Sequence, residues 1–231
     1  IETEIEATVA VPPGTRRRLA LHARRGEDGR VVLGFKARKS WRLVEVSACP
    51  VADPQLVSAF PALTRVAEAF LEHPKSAPTL HVTATLTGLD VDVTGVERRS
   101  GGLSADARMR AIEAAAAAGL ARLSLAGEVL MMERQPKIAF GPATVPLPPG
   151  GFLQAVPEAE AAMVARAVEA VRGAKKIADL FCGAGTFTFP LATLAPVLAA
   201  DGSAAGIAAL KAGIGTGPGM KGITAEARDL F

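Results

Sequence analysis

The stretch Ile177-Ala-Asp-Leu-Phe-Cys-Gly-Ala-Gly-Thr186 decides the fold of the second half of the chain. It begins as a short apolar strand that contains an acidic residue, Asp179, and it continues into a tight turn with Gly183 and Gly185. The pattern Asp-x-x-x-Gly-x-Gly is typical of the loop after the first strand of a Rossmann-like unit, where glycines let the backbone turn sharply and a cofactor approach closely. The stretch therefore predicts a strand, a cofactor loop and a helix.

The spacing of the glycines also discriminates among cofactors. The Gly-x-Gly-x-x-Gly pattern of dinucleotide-binding proteins fails, because Thr188 occupies the position of the third glycine. The lysine of a phosphate-binding P-loop does not follow the glycines either. Both departures favour S-adenosylmethionine over NAD or ATP.

A second acidic residue ends the next predicted strand. Pro196-Val-Leu-Ala-Ala-Asp201 indicates a short buried strand, and Asp201 follows Gly183 by 18 residues. An acid at this place can accept hydrogen bonds from the ribose hydroxyls of a bound nucleoside. The alternative is structural: the glycines only form a turn, and Asp201 only caps the following helix. The combination of loop and acid favours the cofactor interpretation.

The composition describes a folded protein with enough residues for two domains. The chain has 231 residues, of which 49% are hydrophobic and 21% charged. Two cysteines do not make a disulfide framework, and the acidic start of the sequence is unlike a secretory signal, so we expect a cytoplasmic protein. Residues 180–200 carry no charge but include two glycines and two prolines, so we expect no membrane span.

The small net charge of +3 hides an uneven distribution. Residues 16–42 contain ten Lys or Arg against two acids, whereas residues 176–231 contain four of each sign. A localised basic segment is the electrostatic footprint of a protein that binds a polyanion, and RNA is the partner that we expect. A solvated charged surface without a partner is the alternative on charge alone. We expect no obligate protein partner.

The order of predicted elements divides the chain near residue 150. Residues 1–150 indicate an α+β domain with two hairpins and two helices, and a proline-rich connection ends it at 136–150. Residues 151–231 indicate a helix over 157–172 and then the first βα units of a Rossmann-like domain, so the predicted fold class is α/β. A doubly wound sheet needs more βα units than fit before residue 231, and we therefore expect a fragment.

Several separated pieces, in this order, resemble the S-adenosylmethionine-dependent RNA uracil-C5-methyltransferases, which make 5-methyluridine in ribosomal or transfer RNA. Gly151-Phe-Leu-Gln-Ala155 resembles the Phe-x-Gln segment of that family, and Asp179-Leu-Phe-Cys-Gly-Ala-Gly-Thr-Phe187 resembles its cofactor loop. Glu160 fits an acidic position in the helix between them, and Asp229 fits one after the third strand. The resemblance covers nearly the whole chain, implies a class I methyltransferase fold, and implies truncation at both ends.

The resemblance also implies a set of contacts to the cofactor. The cofactor-binding residues that we expect are Gln154, Asp179, Phe181, Gly183, Gly185, Thr186, Asp201 and Asp229. Asp201 is expected to bind the ribose, although glutamate is usual there, and Asp229 to accept from the adenine amino group. Thr186 stands where asparagine sometimes occurs, and its hydroxyl can make only part of the same bonding.

The two cysteines have different expected roles. Cys49 resembles the last ligand of the 4Fe-4S cluster that some members of the family carry, and the other three thiolates would come from outside this sequence. A free buried cysteine is the alternative for Cys49. Cys182 lies inside the glycine loop with no histidine near it in sequence, so we do not expect it to be catalytic.

In this family a cysteine thiolate adds to C6 of the uracil, C5 then takes the methyl group, and a carboxylate removes the C5 proton. Both residues belong to the C-terminal half of the family. The resemblance therefore implies that this chain contains cofactor-binding residues but no catalytic residue, and that it is inactive alone. Two other functions stay open: a methyltransferase with a different acceptor, and a non-catalytic RNA-binding protein with a retained cofactor fold.

Overall fold

A computed structural model describes residues 7–40, 42–73, 76–96 and 102–230 of the chain. The acidic start of the sequence lies outside the described residues. Across these four ranges, no helix combines the length and the apolar character that a bilayer crossing requires.

The first unit of the described chain is a sheet covered by helices. Its strands are β1 (Arg18–Arg25), β2 (Val31–Lys36), β3 (Leu43–Glu45), β4 (Thr79–Thr85), β5 (Gly88–Thr94), β6 (Arg122–Leu125) and β7 (Glu128–Met132), and its helices are α1 (Pro54–Ser58), α2 (Phe60–Glu68) and α3 (Ala105–Ala117). The strands pair in the order β3-β2-β1-β4-β5-β6-β7. Neighbouring strands are antiparallel except β5 and β6, which the helix α3 connects in parallel.

Alternation of apolar residues explains which face of this sheet is buried. Leu19, Leu21 and Ala23 of β1 alternate with more exposed residues, and they belong to the same buried cluster as Leu63 and Val66 of α2. Strand residues two apart point to the same face, so one face of the sheet packs under the helices. This cluster is the core of the first unit.

The second unit is a parallel βαβαβ arrangement preceded by a hairpin and a helix. Its elements are β8 (Lys137–Phe140), β9 (Ala143–Pro146), α4 (Pro157–Ala170), β10 (Ile177–Leu180), α5 (Thr188–Ala192), β11 (Val197–Asp201), α6 (Ala204–Gly213) and β12 (Ile223–Ala227). Strands β10, β11 and β12 are parallel in that order. The predicted fold class is confirmed: an α+β unit is followed by the first βα units of a Rossmann-like sheet.

One predicted connection is a folded element. The sequence predicted a proline-rich connection at 136–150, but β8 and β9 form an antiparallel hairpin there. Ile138, Phe140 and Val145 are buried together with Phe189 and Leu210 of the second unit. Pro136 precedes β8, Pro142 lies in the turn and Pro146 is the last residue of β9, so no proline interrupts the middle of a strand. The division at residue 150 stays a prediction, and we propose an earlier one, before β8, because this hairpin completes the second core.

Candidate cofactor site

The loop between β10 and α5 crosses the carboxyl end of the parallel sheet. Phe181, Gly183 and Gly185 all have positive φ, at 59°, 56° and 102°. The N–H of Gly185 donates to the carbonyl of Cys182 at 2.9 Å, which closes the turn. Phe181 adopts the left-handed region without being glycine, at a cost of about 1–2 kcal/mol. The loop is therefore a tight, strained turn at the edge where Rossmann-like units bind their ligands.

The two glycines of the loop serve different purposes. A Cβ on Gly185 would lie 2.6 Å from a ring carbon of Phe189, so only glycine lets the loop pack on α5. A Cβ on Gly183 would meet no atom within 4 Å. Gly183 instead borders open space, which a close-fitting ligand can use.

Asp201 connects the end of β11 to this loop. Its Oδ2 accepts a hydrogen bond from the N–H of Gly183 at 2.8 Å, and its Oδ1 accepts from the N–H of Ser203 at 2.7 Å. The cap of α6 is Ser203, whose hydroxyl oxygen accepts from the N–H of Gly206 at 3.1 Å. The capping role that was the alternative for Asp201 therefore belongs to Ser203, and Asp201 holds the loop.

Asp179 lies beneath the loop. Its Oδ2 accepts a hydrogen bond from the hydroxyl of Thr188 at 2.5 Å. Burial raises the pKa of the Asp179 carboxyl, and the nearby charge of Asp201 adds to that increase. Two carboxylates thus hold the loop, one from each of the first two parallel strands.

A cavity of about 440 Å³ opens beside this loop. Its wall comes from residues 148–154, from the loop at 181–187, and from residues 201–206 at the start of α6. Of the eight expected cofactor-binding residues, the wall contains Gln154, Phe181, Gly183, Thr186 and Asp201. The fold therefore brings together five residues that span 48 positions of sequence.

The other three expected residues lie outside the wall. The carboxylate of Asp179 accepts a hydrogen bond from Thr188 below the loop, and Gly185 is buried against Phe189. Asp229 is exposed and lies two residues beyond the end of β12. Asp179 and Gly185 can act on the cavity only by shaping the loop.

The wall also contains residues that sequence reasoning did not single out. Phe152 is 78% exposed and lines the cavity together with Phe187 and Ser203. Ser203 could have been found, because a serine two residues after a strand-ending acid and just before a helical stretch is a typical N-cap. Phe152 and Phe187 both lie in the segments that carry the family resemblance, but they were not among the expected cofactor contacts.

The two cysteines of the described residues lie in different surroundings. Burial raises the pKa of the Cys182 thiol to about 12, and the charges of Asp179 and Asp201 contribute. Cys49 is half-buried against the core of the first unit. Within the described ranges, no three or more His, Cys, Asp or Glu residues are grouped so that they could hold a metal ion. These residues alone do not fit a 4Fe-4S cluster.

The charge of the cavity wall indicates which kind of ligand fits. Asp201 is the charged residue of the described wall, which contains neither Lys nor Arg. The N–H of Gly183, which could otherwise bind a phosphate, already donates to the Asp201 carboxylate. The cavity therefore suits a ligand that is neutral or positive and donates hydrogen bonds, and it disfavours a phosphate group.

Curated proteins similar to the chain are named as RNA methyltransferases. An uncharacterized RNA methyltransferase of Caulobacter vibrioides is 64% identical over all of this chain and 56% of its own length. One of Mesorhizobium japonicum is 40% identical over all of this chain and 55% of its own length. The 23S rRNA (uracil(1939)-C(5))-methyltransferase RlmD of Halomonas elongata is 36% identical over 83% of this chain and 42% of its own length. The chain thus spans about half the length of these relatives.

A solved structure supports the fold. The tRNA (uracil-54, C5)-methyltransferase of Pyrococcus abyssi, in complex with S-adenosyl-L-homocysteine, superposes with a TM-score of 0.67 over 92% of this chain and 55% of that chain. Its sequence is 17% identical, so the likeness concerns the fold alone. No protein-family model matches the chain.

Proposed function

The chain is a relative of the RNA methyltransferases, uracil-C5 enzymes among them, and from this premise we propose that it binds S-adenosylmethionine and that the whole protein methylates C5 of a uridine in ribosomal or transfer RNA. The observation that carries the proposal is the hydrogen bond from Gly183 to Asp201. It commits an N–H of the loop to a carboxylate of the protein and leaves Asp201 as the charged group beside the cavity, which favours a nucleoside with a cationic group over a ligand with a phosphate at this loop.

The residues of the cavity suit this cofactor. Each Asp201 oxygen accepts one backbone N–H and keeps lone pairs for the ribose hydroxyls. Open space beside Gly183 allows close approach of the ligand to the loop backbone. Gln154 offers an amide donor and acceptor at the wall, and Phe181 offers an exposed ring. We propose that Thr186 adds a hydroxyl contact from the end of the loop.

Two of the expected cofactor-binding residues, Asp179 and Asp229, lie outside the wall of the cavity, and we propose a role for each. Asp179 keeps the loop in place through Thr188. Asp229 follows β12 at the same edge of the parallel sheet, and we propose that it accepts from the adenine amino group.

RNA is the substrate that the charge distribution favours. Eight of the ten basic residues in 16–42 are exposed, whereas Arg17 and Arg18 are half-buried. Lys and Arg that neutralise phosphates release the cations condensed on the RNA, so binding of the whole protein to RNA should weaken strongly as salt rises. We propose that this basic segment, residues 16–42, contacts the RNA backbone.

The attacking thiolate and the base are proposed to lie outside this sequence. Uracil-C5 chemistry needs a reactive thiolate, and the high pKa and burial of Cys182 make it unfit for that role. Cys49 packs against the core of the first unit. Bound S-adenosylmethionine supplies an activated methyl group, and the residues of this chain would bind and orient it and exclude phosphate ligands. We therefore expect the isolated chain to bind the cofactor without methylating RNA.

The test uses the whole protein with labelled S-adenosylmethionine and unmodified ribosomal or transfer RNA. After digestion to nucleosides, mass spectrometry should find the label in 5-methyluridine. Label in another nucleoside would retain the cofactor site and reject the uracil chemistry. Binding of RNA without binding of the cofactor would support a non-catalytic RNA-binding protein instead.

A further inference from the structure

Arg17 connects the first unit to the wall of the cavity. It directly precedes β1, and its side-chain Nε donates to the carbonyl of Gln154 at 3.1 Å. Its Nη2 lies 2.7 Å from Oε2 of Glu160 on α4, and its main-chain N–H donates to the carbonyl of Ala155 at 2.8 Å. One residue of the first unit thus makes two polar contacts with the segment that carries Gln154 and a third with the helix α4 that follows it.

That segment depends on contacts from elsewhere. Residues 151–156 lie between β9 and α4 and belong to neither a helix nor a strand. The carbonyls of Gln154 and Ala155 are bonded by Arg17, and the carbonyl of Gly151 accepts from Nη1 of Arg18 at 3.0 Å. The place of the Gln154 side chain at the cavity is therefore set by the first unit.

The ion pair is buried enough for its geometry to be specific. The side chains of Arg17 and Glu160 are 12% and 10% exposed. Burial lowers the pKa of Arg17 and raises that of Glu160, so each charge loses hydration in the folded protein. Removing one partner leaves the other charge poorly solvated, which costs far more than losing an exposed pair. The pair also borders a second cavity, of about 620 Å³, whose wall shares Thr186 with the first.

We propose that Arg17 is a positioning residue for the cofactor, held in place by Glu160, and that it acts by fixing the backbone of Gln154. The inference rests on the proposed function, because it concerns the same cavity. It assigns to the first unit, whose basic segment 16–42 is proposed to contact RNA, a direct part in shaping the cofactor site.

The test measures binding of S-adenosylhomocysteine to this chain by calorimetry, together with thermal unfolding. Arg17→Met keeps the main-chain bond to Ala155 and the length of the side chain, but it removes the bonds to Gln154 and Glu160. We expect the dissociation constant to rise about tenfold, the effect of losing a group that pre-organises a site. Arg17→Lys retains the charge without the Nε donor and should recover only part of the affinity.

Glu160→Gln is the milder variant, because it leaves Arg17 in place with a neutral hydrogen-bonding partner. It should weaken binding less than Arg17→Met, and the double variant should be no worse than Arg17→Met, since both act through the same bond. Arg172→Met is the matched control: Arg172 pairs with Glu169 at 2.6 Å near the other end of α4, with side chains 72% and 64% exposed.

The outcomes separate the two proposals. A wild-type chain that does not bind S-adenosylhomocysteine rejects cofactor binding by this chain, the part of the proposed function on which the positioning role rests. A wild-type chain that binds it, with unchanged affinity in a folded Arg17→Met variant, overturns the positioning role alone. Should Arg17→Met fail to fold, equal affinity of Glu160→Gln, Arg17→Lys and wild type would overturn it as well.

Discussion

Oδ2 of Asp201 lies 2.8 Å from the backbone nitrogen of Gly183, so the carboxylate that ends the second parallel strand holds the turn that follows the first. Backbone N–H groups in such turns commonly bind anions of the ligand. Here an anion of the protein itself occupies one of them. The loop is therefore organised before any ligand binds, and the charge beside it, on Asp201, is negative.

Asp201→Asn should weaken S-adenosylhomocysteine binding to this chain. The amide keeps one acceptor oxygen, so one of the two N–H groups, from Gly183 or Ser203, would face an NH₂ donor. We expect at least a tenfold rise in the dissociation constant and a loss of about 1–3 kcal/mol in stability. Calorimetry and denaturant unfolding measure the two effects.

Asp106→Asn provides the control for that variant, because it removes the same charge from an exposed position on α3 in the first unit. Its affinity should match that of the wild type. If Asp201→Asn also bound as tightly as the wild type, the carboxylate would have no part in the site.

Alanine at the two loop glycines should separate stability from binding. Gly185→Ala puts a Cβ 2.6 Å from Phe189 at a φ of 102°, so overpacking and backbone strain together should cost roughly 2–5 kcal/mol. Gly183→Ala has open space and a φ of 56°, so it should cost about 1–2 kcal/mol. Its methyl group would instead reduce affinity for S-adenosylhomocysteine.

Gly202→Ala is the reference for this series, since a Cβ there meets no atom within 4 Å and φ lies outside the positive range. It should change stability by less than about 0.5 kcal/mol. Equal effects of the three substitutions on unfolding would contradict the packing argument for Gly185.

Local pattern was enough to predict the strand, loop and helix at 177–192 and the acid at 201. Glycines, an apolar run and a strand-ending acid are all properties of neighbouring residues. The hairpin of β8 and β9 was missed because its prolines suggested a connection, and only packing against Phe189 and Leu210 shows that its alternating residues form a core.

Long-range contacts explain what else the sequence could not predict. Arg17 and Glu160 are 143 residues apart, and no periodicity in either segment indicates that they meet. The position of Asp179 below the loop likewise depends on the hydroxyl of Thr188, on the next helix. Tertiary partners of polar groups are decided by the assembled fold.

Thr188→Val should destabilise the chain in a pH-dependent way. Burial raises the pKa of Asp179, so the folded state binds more protons than the unfolded state just above pH 4, and this contribution to stability is lost as pH rises through the folded pKa. The hydroxyl of Thr188 opposes that shift by donating to the ionised carboxylate. Without it, the folded pKa rises further.

The destabilisation by Thr188→Val should therefore be largest, about 1–3 kcal/mol, at the alkaline end of the pH range, and should shrink as pH falls and the Asp179 carboxyl becomes protonated. Denaturant unfolding at several pH values measures this. Thr193→Val removes a hydroxyl that donates to the neutral carbonyl of Pro190 at 2.7 Å, and its smaller cost should not change with pH. A pH-independent loss for Thr188→Val would show that the hydroxyl does not act on the Asp179 charge.

Alkylation should test the exclusion of Cys182 as a nucleophile. The pKa of its thiol is raised from the ordinary 9.0 to about 12, so at pH 8 the thiolate fraction is about a thousandth of that of an ordinary cysteine. The side chain is also buried. In the folded chain at pH 8, iodoacetamide should modify Cys182 far more slowly than in denaturant, as followed by peptide mass spectrometry.

Cys182→Ala should retain affinity for S-adenosylhomocysteine within a few-fold, because the thiol borders the cavity without serving as a charged partner. Rapid labelling of Cys182 in the folded chain would reveal a reactive thiolate, and the proposal that the attacking cysteine lies outside this sequence would then be wrong.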